Sequence, residues 1–341
     1  MTTTENRTVS GALDLRVGDL VEVRGKAEIL ATLDGKGELD ELPFMPEMLV
    51  FCGRRMRVSK VAHKVCDNIA RTGLHRMERA VHLTDARCDG SGHGGCQNAC
   101  QLFWKEAWLR RFDPDEPAAP VAVQVPAGRA LLPLVVAAAT MTPGTDGTVR
   151  YSCQATEMKR AAPAALPVRD LGQYVQDVRT GNAGVAATLR AFLVVLFNRL
   201  QVVSTRVLPR SLWFRGGTRW GFLQGQVRSG RTPTGELGLR TGELVRIKSK
   251  AEIEATLNGD LLNRGMGFDP EMSRFCGRTA RVQRRVDRVI DEKTGRMLTM
   301  KYPCIVLDGV VCEGVFSGSC PRAFVSFWRE IWLERIEEPV G

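Results

Sequence analysis

"FCGRRMRV" occupies residues 51–58, and "FCGRTARV" occupies residues 275–282. Slid against itself at that 224-residue offset, the chain aligns 15–111 with 239–335, and 38 of those 97 positions are identical. Self-similarity over a stretch this long marks a tandem duplication. "LRVGDLVEVRGKAEILATLDG" matches "LRTGELVRIKSKAEIEATLNG", "FMPEMLVFCG" matches "FDPEMSRFCG", and "FWKEAWLRR" matches "FWREIWLER". One scaffold is written twice, with an insert between the copies.

Each copy opens on period-2 alternation, Leu20-Val21-Glu22-Val23 and Leu244-Val245-Arg246-Ile247, which predicts a short strand. A helical turn is expected over 27–33 and 251–257. Further strands are expected over 57–65, 75–83, 281–290 and 297–307, the last two joined by the hairpin-like "DEKTGR" with Gly295. Near the end of each copy apolar residues recur, Ala99, Leu102, Phe103, Ala107 and Trp108 in the first and Ala323, Phe324, Phe327, Ile331 and Trp332 in the second. That spacing predicts a terminal helix packing an apolar stripe, widened by Trp104 and Trp328, into the core. The alternative use of those rings is a stacking platform for bases.

The Gly-Asp-x-Val-x-Val opening and the "CG" turn resemble the small SH3-like barrels, including KOW-type modules. The resemblance covers about the first 45 residues of each copy. It implies binding of nucleic acid, a peptide or a partner subunit more than catalysis. The expected fold class is α+β: two tandem SH3-like β-barrels, each ending in an α-helix, separated by a mainly helical α+β insert.

The expected boundaries are a disordered tail at 1–13, copy one at 14–112, the insert at 113–236 and copy two at 237–338. Pro-rich and Gly-rich stretches at 113–128 and 228–238 read as linkers. Within the insert, "ALLPLVV" and "TVRYSCQATEM" read as strands, and "VRDLGQYVQDVRTGN" and "GVAATLRAFLVVLFNRLQVVS" as helices. The second helix is apolar on nearly all sides and is therefore expected to be buried, with the insert packed between the barrels. "RSLWFRGGTRWGFLQGQVRSGR" (210–231) interleaves Arg with aromatic residues. It reads as a hairpin packing its rings inward, or else as a loop for a polyanion or a partner.

No cationic patch followed by an apolar run opens the chain, and the apolar stretches "ALLPLVVAAAT" and "FLVVLF" fall short of the roughly 20 residues of a membrane span. A cytoplasmic protein with no membrane segment is expected. The net charge of +10 is concentrated in the insert and permits binding of nucleic acid or another polyanion, although the arginines are scattered singly.

Ten cysteines in a reducing compartment point to metal or redox chemistry rather than a disulfide framework. Three recur at equivalent places: Cys52 with Cys276, Cys88 with Cys312, and Cys96 with Cys320. Copy one adds Cys100 and copy two adds Cys304. Four thiolates per copy would close a zinc site or hold an iron–sulfur cluster. A competing set in copy one is Cys88, His93, Cys96 and Cys100, but Ser317 stands opposite His93 in copy two. The bland reading is that these are small buried hydrophobes, a description that suits Cys66, matched by Ile290.

No Walker loop, dinucleotide-binding glycine pattern, HExxH, GxSxG or kinase signature occurs. Cys153 as a nucleophile and Glu157 as a general base are the weak catalytic candidates. The leading expectation is a metal-binding accessory protein, carrying zinc or an iron–sulfur cluster, that acts on a protein partner or a polyanion. The rival is a redox or metal-dependent enzyme with its centre in copy one.

Overall fold

The computed structural model describes residues 13–112, 128–141 and 147–336. The tail expected at 1–13 and the first linker therefore lie almost wholly outside the described residues. The chain is α+β, built on two antiparallel sheets whose four equivalent strands run in the same order, with a fifth at the edge in copy one.

In copy one the order is Trp104–Lys105, Ala80–Leu83, Arg55–Val61, Leu20–Val23 and Leu109–Arg111. In copy two it is Met297–Leu307, Thr279–Ile290, Leu244–Ile247 and Leu333–Arg335. The registers agree as well: Leu20 pairs with Arg57 as Leu244 pairs with Arg281, and Val21 pairs with Arg111 as Val245 pairs with Arg335. Side chains alternate across a strand, so a slip of one residue would turn Val21 and Val23 outward. Both are fully buried.

Each sheet closes over the same aromatic core. Phe44 meets Trp108 edge-on at 5.2 Å, and Phe268 meets Trp332 at 5.3 Å. The Trp108 indole donates to Thr32 Oγ1 at 3.1 Å, and that of Trp332 to Thr256 Oγ1 at 2.9 Å. Both tryptophans are fully buried, and replacing either by alanine would cost about 3–5 kcal/mol. The rings serve the core, leaving no stacking platform at these positions.

The terminal α-helix expected in each copy is not formed. Ala99 and Ala323 sit at φ of 48° and 45°, which a right-handed helix does not admit. The chain beyond them runs as a short extended segment, a single 3-10 turn at Glu106–Trp108 or Glu330–Trp332, and a closing strand. Trp104, before that turn, and Trp108, its last residue, reach the same core, which imitates helical spacing.

The insert also departs from expectation. "ALLPLVV" lies in a helix, Gly128–Ala138, rather than a strand, and "TVRYSCQATEM" contributes the two-residue strand Arg150–Tyr151 and the first residue of the short helix Met158–Ala161. The two expected helices are present at Gly172–Arg179 and Val185–Val207. The latter is not buried: only Thr188, Ala191 and Gln201 along it are. At 23 residues and a mean hydropathy of 1.5 it is long and apolar enough to cross a membrane by length and composition alone. The aromatic stretch after it forms two 3-10 turns instead of a hairpin, with Phe214 65% and Trp220 49% exposed.

One buried ion pair fastens the insert to copy one. Lys64 Nζ lies 2.5 Å from Asp177 Oδ2, and both side chains are fully buried. Asn182 adds to this joint by accepting from the Val61 amide at 2.8 Å and donating to the Val61 carbonyl at 2.8 Å.

Candidate metal centre

The Gly-rich loops between the paired cysteines fold alike. The His93 and Gly95 amides donate to the Gly90 carbonyl at 3.0 and 2.9 Å, as those of Ser317 and Ser319 do to Gly314 at 3.0 and 2.7 Å. Gly90 and Gly314 have φ of +72° and +74°, and a Cβ on Gly90 would stand 2.0 Å from the Cys96 carbonyl oxygen. Only glycine lets the chain turn back so tightly. The glutamate of the shared "PEM" clamps each loop: Glu47 Oε1 accepts from the Gly92 amide at 3.0 Å, and Glu271 Oε1 from the Phe316 amide at 2.6 Å.

The loops dock across the two copies reciprocally. Cys96 Sγ accepts from the Ile290 amide at 3.3 Å, and Cys320 Sγ from the Cys66 amide at 3.2 Å. Arg87 spans the joint by donating to the Ala99 carbonyl at 2.9 Å and to that of its counterpart Ala323 at 3.0 Å.

In copy one this places four thiols around one cavity. The Cys88 amide donates to the Cys100 carbonyl at 2.9 Å, making those residues neighbours. Cys153 is brought in by Gln154, whose Oε1 accepts from the Phe103 amide at 2.8 Å and whose Nε2 donates to the Phe103 and Pro43 carbonyls. Cys88, Cys96, Cys100 and Cys153 line the cavity together with Ile290 and Glu292 of copy two, around about 430 Å³ of empty space, part of it open to solvent.

Burial pushes the Cys88 and Cys100 thiols far above the ordinary range, with the Glu47 and Glu292 carboxylates adding to the rise, and it pushes Cys153 up to about 11. A cation bound among them would reverse that balance and displace their protons. Two buried carboxylate oxygens here, Glu47 Oε2 and Glu292 Oε2, have no hydrogen-bond partner. In copy two the matching Glu271 oxygen meets Arg274 at 3.2 Å, whereas copy one has Val50 at the arginine's place.

His93 is held at both nitrogens. Nδ1 lies 2.6 Å from Glu47 Oε1 and Nε2 lies 2.9 Å from the Ser152 carbonyl. A carbonyl only accepts, so Nε2 carries a hydrogen there and is not free to ligate. Even so, Glu47, Cys88 and His93 each offer a donor atom within 4.8 Å of the others, the single such group among the described residues.

The remaining candidates lie apart from this cavity. Cys52 and Cys276 occupy the equivalent turns next to the cores, each pushed by burial to about 11, and neither lines the cavity. Cys304 is fully buried in the hairpin opposite Val286, and burial raises it to about 11. Cys312 and Cys320 flank the copy-two loop, where the second sulfur beside Cys320 is that of Cys66, at 2.9 Å. Neither Cys96 nor Cys320 precedes a helix, so a helix terminus does not activate them.

Glu157 is tied to Arg160 at 2.6 Å and accepts from Ser152 Oγ at 3.3 Å, and is therefore already engaged as an ion pair. Cys153 has no counterpart in either copy, so the duplication gave no signal for its place in the cavity. Comparison with family models, curated proteins and solved structures finds no match to this chain.

Proposed function

We propose that copy one holds an iron–sulfur cluster on Cys88, Cys96, Cys100 and Cys153, and that the protein is a redox-competent accessory acting on a protein partner. The observation that carries this reading is four thiols lining one cavity with no three of them gathered within 4.8 Å. A single zinc ion draws four sulfurs to about 2.3 Å from one point, hence roughly 3.8 Å from each other. A cluster interposes several iron atoms and takes its cysteines from further apart. The amide of Ile290 donating to Cys96 is the kind of contact that steadies a ligating sulfur and tunes a cluster's potential.

A second reading is one zinc ion on Glu47, Cys88 and His93. It is favoured by their convergence within 4.8 Å and by the unpartnered Glu47 Oε2, and it requires His93 to give up a hydrogen bond. Anaerobic reconstitution with ferrous iron and sulfide separates the two. Visible charge-transfer absorption that is lost in Cys100→Ser and Cys153→Ser supports the cluster. Zinc retention in those variants, with loss in His93→Gln, supports the single ion.

The likeness of each copy's opening to small SH3-like barrels supports a binding role. The partner surface we assign is the long helix, whose exposed Leu189, Leu193, Leu196, Leu200, Val203 and Val207 repeat at alternating spacings of four and three. That is a coiled-coil seam. Exposed Arg190, Arg199 and Arg206 are its only charged residues, so an amphipathic helix with acidic flanks fits it. Salt-dependent binding of nucleic acid in place of such a helix would redirect this assignment to a polyanion.

A further inference from the structure

Cys66 and Cys320 lie 254 residues apart, and their sulfurs are 2.9 Å from each other. A second cleft, with about 290 Å³ of empty space of which part is open solvent, is lined by Cys66, Asp67, His75, Lys159, Glu292 and Arg322 among others. We propose that Cys66 and Cys320 form a dithiol–disulfide centre joining the two copies, oxidised by a low-molecular-weight disulfide that enters beside Cys66. This inference goes beyond the metal reading and does not depend on it.

The duplication supplies an internal control. The same amide-to-sulfur contact occurs at Ile290 and Cys96, so that contact belongs to the docking of the copies. Only the Cys66 side places a second sulfur there. Arg322, 4% exposed, donates to the Cys66 carbonyl at 3.1 Å and pairs with Glu292 at 3.4 Å, which fixes a positive charge beside the pair. Copy one has Asn98 at the matching position. A disulfide needs the sulfurs at about 2 Å, a small approach from where they stand.

The electrostatics distinguish the partners. Burial works to raise the Cys320 thiol, but hydrogen bonding from the Cys66 thiol, the Arg322 amide and the Arg322 charge outweigh it and leave it at about 7. Cys66 is pushed up by its hydrogen bond to Cys320 and by burial. The two sulfurs thus share one proton, which Cys320 takes when Cys66 reacts. Cys66 then attacks the incoming disulfide RSSR, forming Cys66–S–S–R and expelling RS⁻, which takes up the proton held on Cys320. The Cys320 thiolate next attacks Cys66 Sγ, closes the intramolecular disulfide and expels a second RS⁻, protonated by solvent. Two protein thiols are oxidised by two electrons, and RSSR is reduced to two RSH.

The test uses the full chain, reduced, freed of reductant and then exposed to oxidised glutathione, with alkylation and peptide mapping under non-reducing conditions. A peptide linked through Cys66 and Cys320 is expected in the native sequence. Cys320→Ser is expected to accumulate a glutathione adduct on Cys66, and Cys66→Ile, which copies residue 290, to react about tenfold more slowly at Cys320. Absence of that link, disulfides formed elsewhere instead, or equal adducts in both variants would overturn the proposal. Iron measured on the same samples keeps the readings apart: linkage without iron counts against the cluster alone, and iron without linkage against the dithiol alone.

Discussion

The Ile290 amide donates to the Cys96 sulfur at 3.3 Å, so the wall of copy one's thiol cavity is completed by copy two. A metal held there would join the halves of the duplication as well as fill a site in one of them. Cys88→Ser, Cys100→Ser and Cys153→Ser are each expected to lower bound metal about tenfold or more, and Cys52→Ser and Cys276→Ser to leave it unchanged. Metal content by elemental analysis checks both groups. Full retention in Cys153→Ser would remove the insert from the ligand set.

Lys64 and Asp177 carry the joint between copy one and the insert. Burial lowers the Lys64 ammonium and raises the Asp177 carboxyl, and their mutual attraction offsets only part of either shift. Lys64→Met leaves a buried carboxylate uncompensated and is expected to cost about 3–5 kcal/mol. Adding Asp177→Leu should recover much of that loss in denaturant unfolding. A single-variant cost below about 1 kcal/mol would mean that the joint is hydrated.

His82 is fully buried, and its Nδ1–H donates to the Leu102 carbonyl at 2.9 Å while Nε2 has no partner. Burial holds it down to about 4, with the Arg322 and Arg87 charges contributing. A histidine whose folded value lies below its unfolded one stabilises the fold above about pH 6.5, and that stability is lost as the pH falls toward 4. The expected loss is on the order of 3 kcal/mol between those limits. His82→Asn, which keeps a donor toward Leu102, should flatten the acid limb of a melting-temperature profile. An unchanged limb would assign acid lability elsewhere.

The seam on the long helix makes a prediction of its own. Leu196→Glu with Leu200→Glu is expected to leave the melting temperature within a few degrees, since both side chains are exposed, and to abolish association with an acid-flanked helical partner. Light scattering and a pull-down against such a helix check this. A collapse of the fold would show that the face is covered within the native molecule.

Much of the scaffold is legible in the residues because a duplication tests itself. The strands Leu20–Val23 and Leu244–Ile247 are read from alternation, and the hairpin 279–307 from its turn at Gly295. The terminal helices are misread because Trp104 precedes a 3-10 turn that Trp108 ends, and nothing in alanine's identity announces the positive φ of Ala99. The long helix is misread because apolarity on many faces implies a cover, and that cover is not within the described chain. Cys88, Cys96 and Cys100 are legible as a group from their spacing. Cys153 and the pairing of Cys66 with Cys320 depend on docking between distant segments, which local patterns do not encode.

The most direct test of the central claim is elemental and spectroscopic analysis of the full chain isolated without air. The expected result is iron with matching acid-labile sulfide, and visible absorption that disappears in Cys100→Ser. Colourless protein that takes up neither iron nor sulfide on reconstitution, with folding indifferent to chelators, would contradict it.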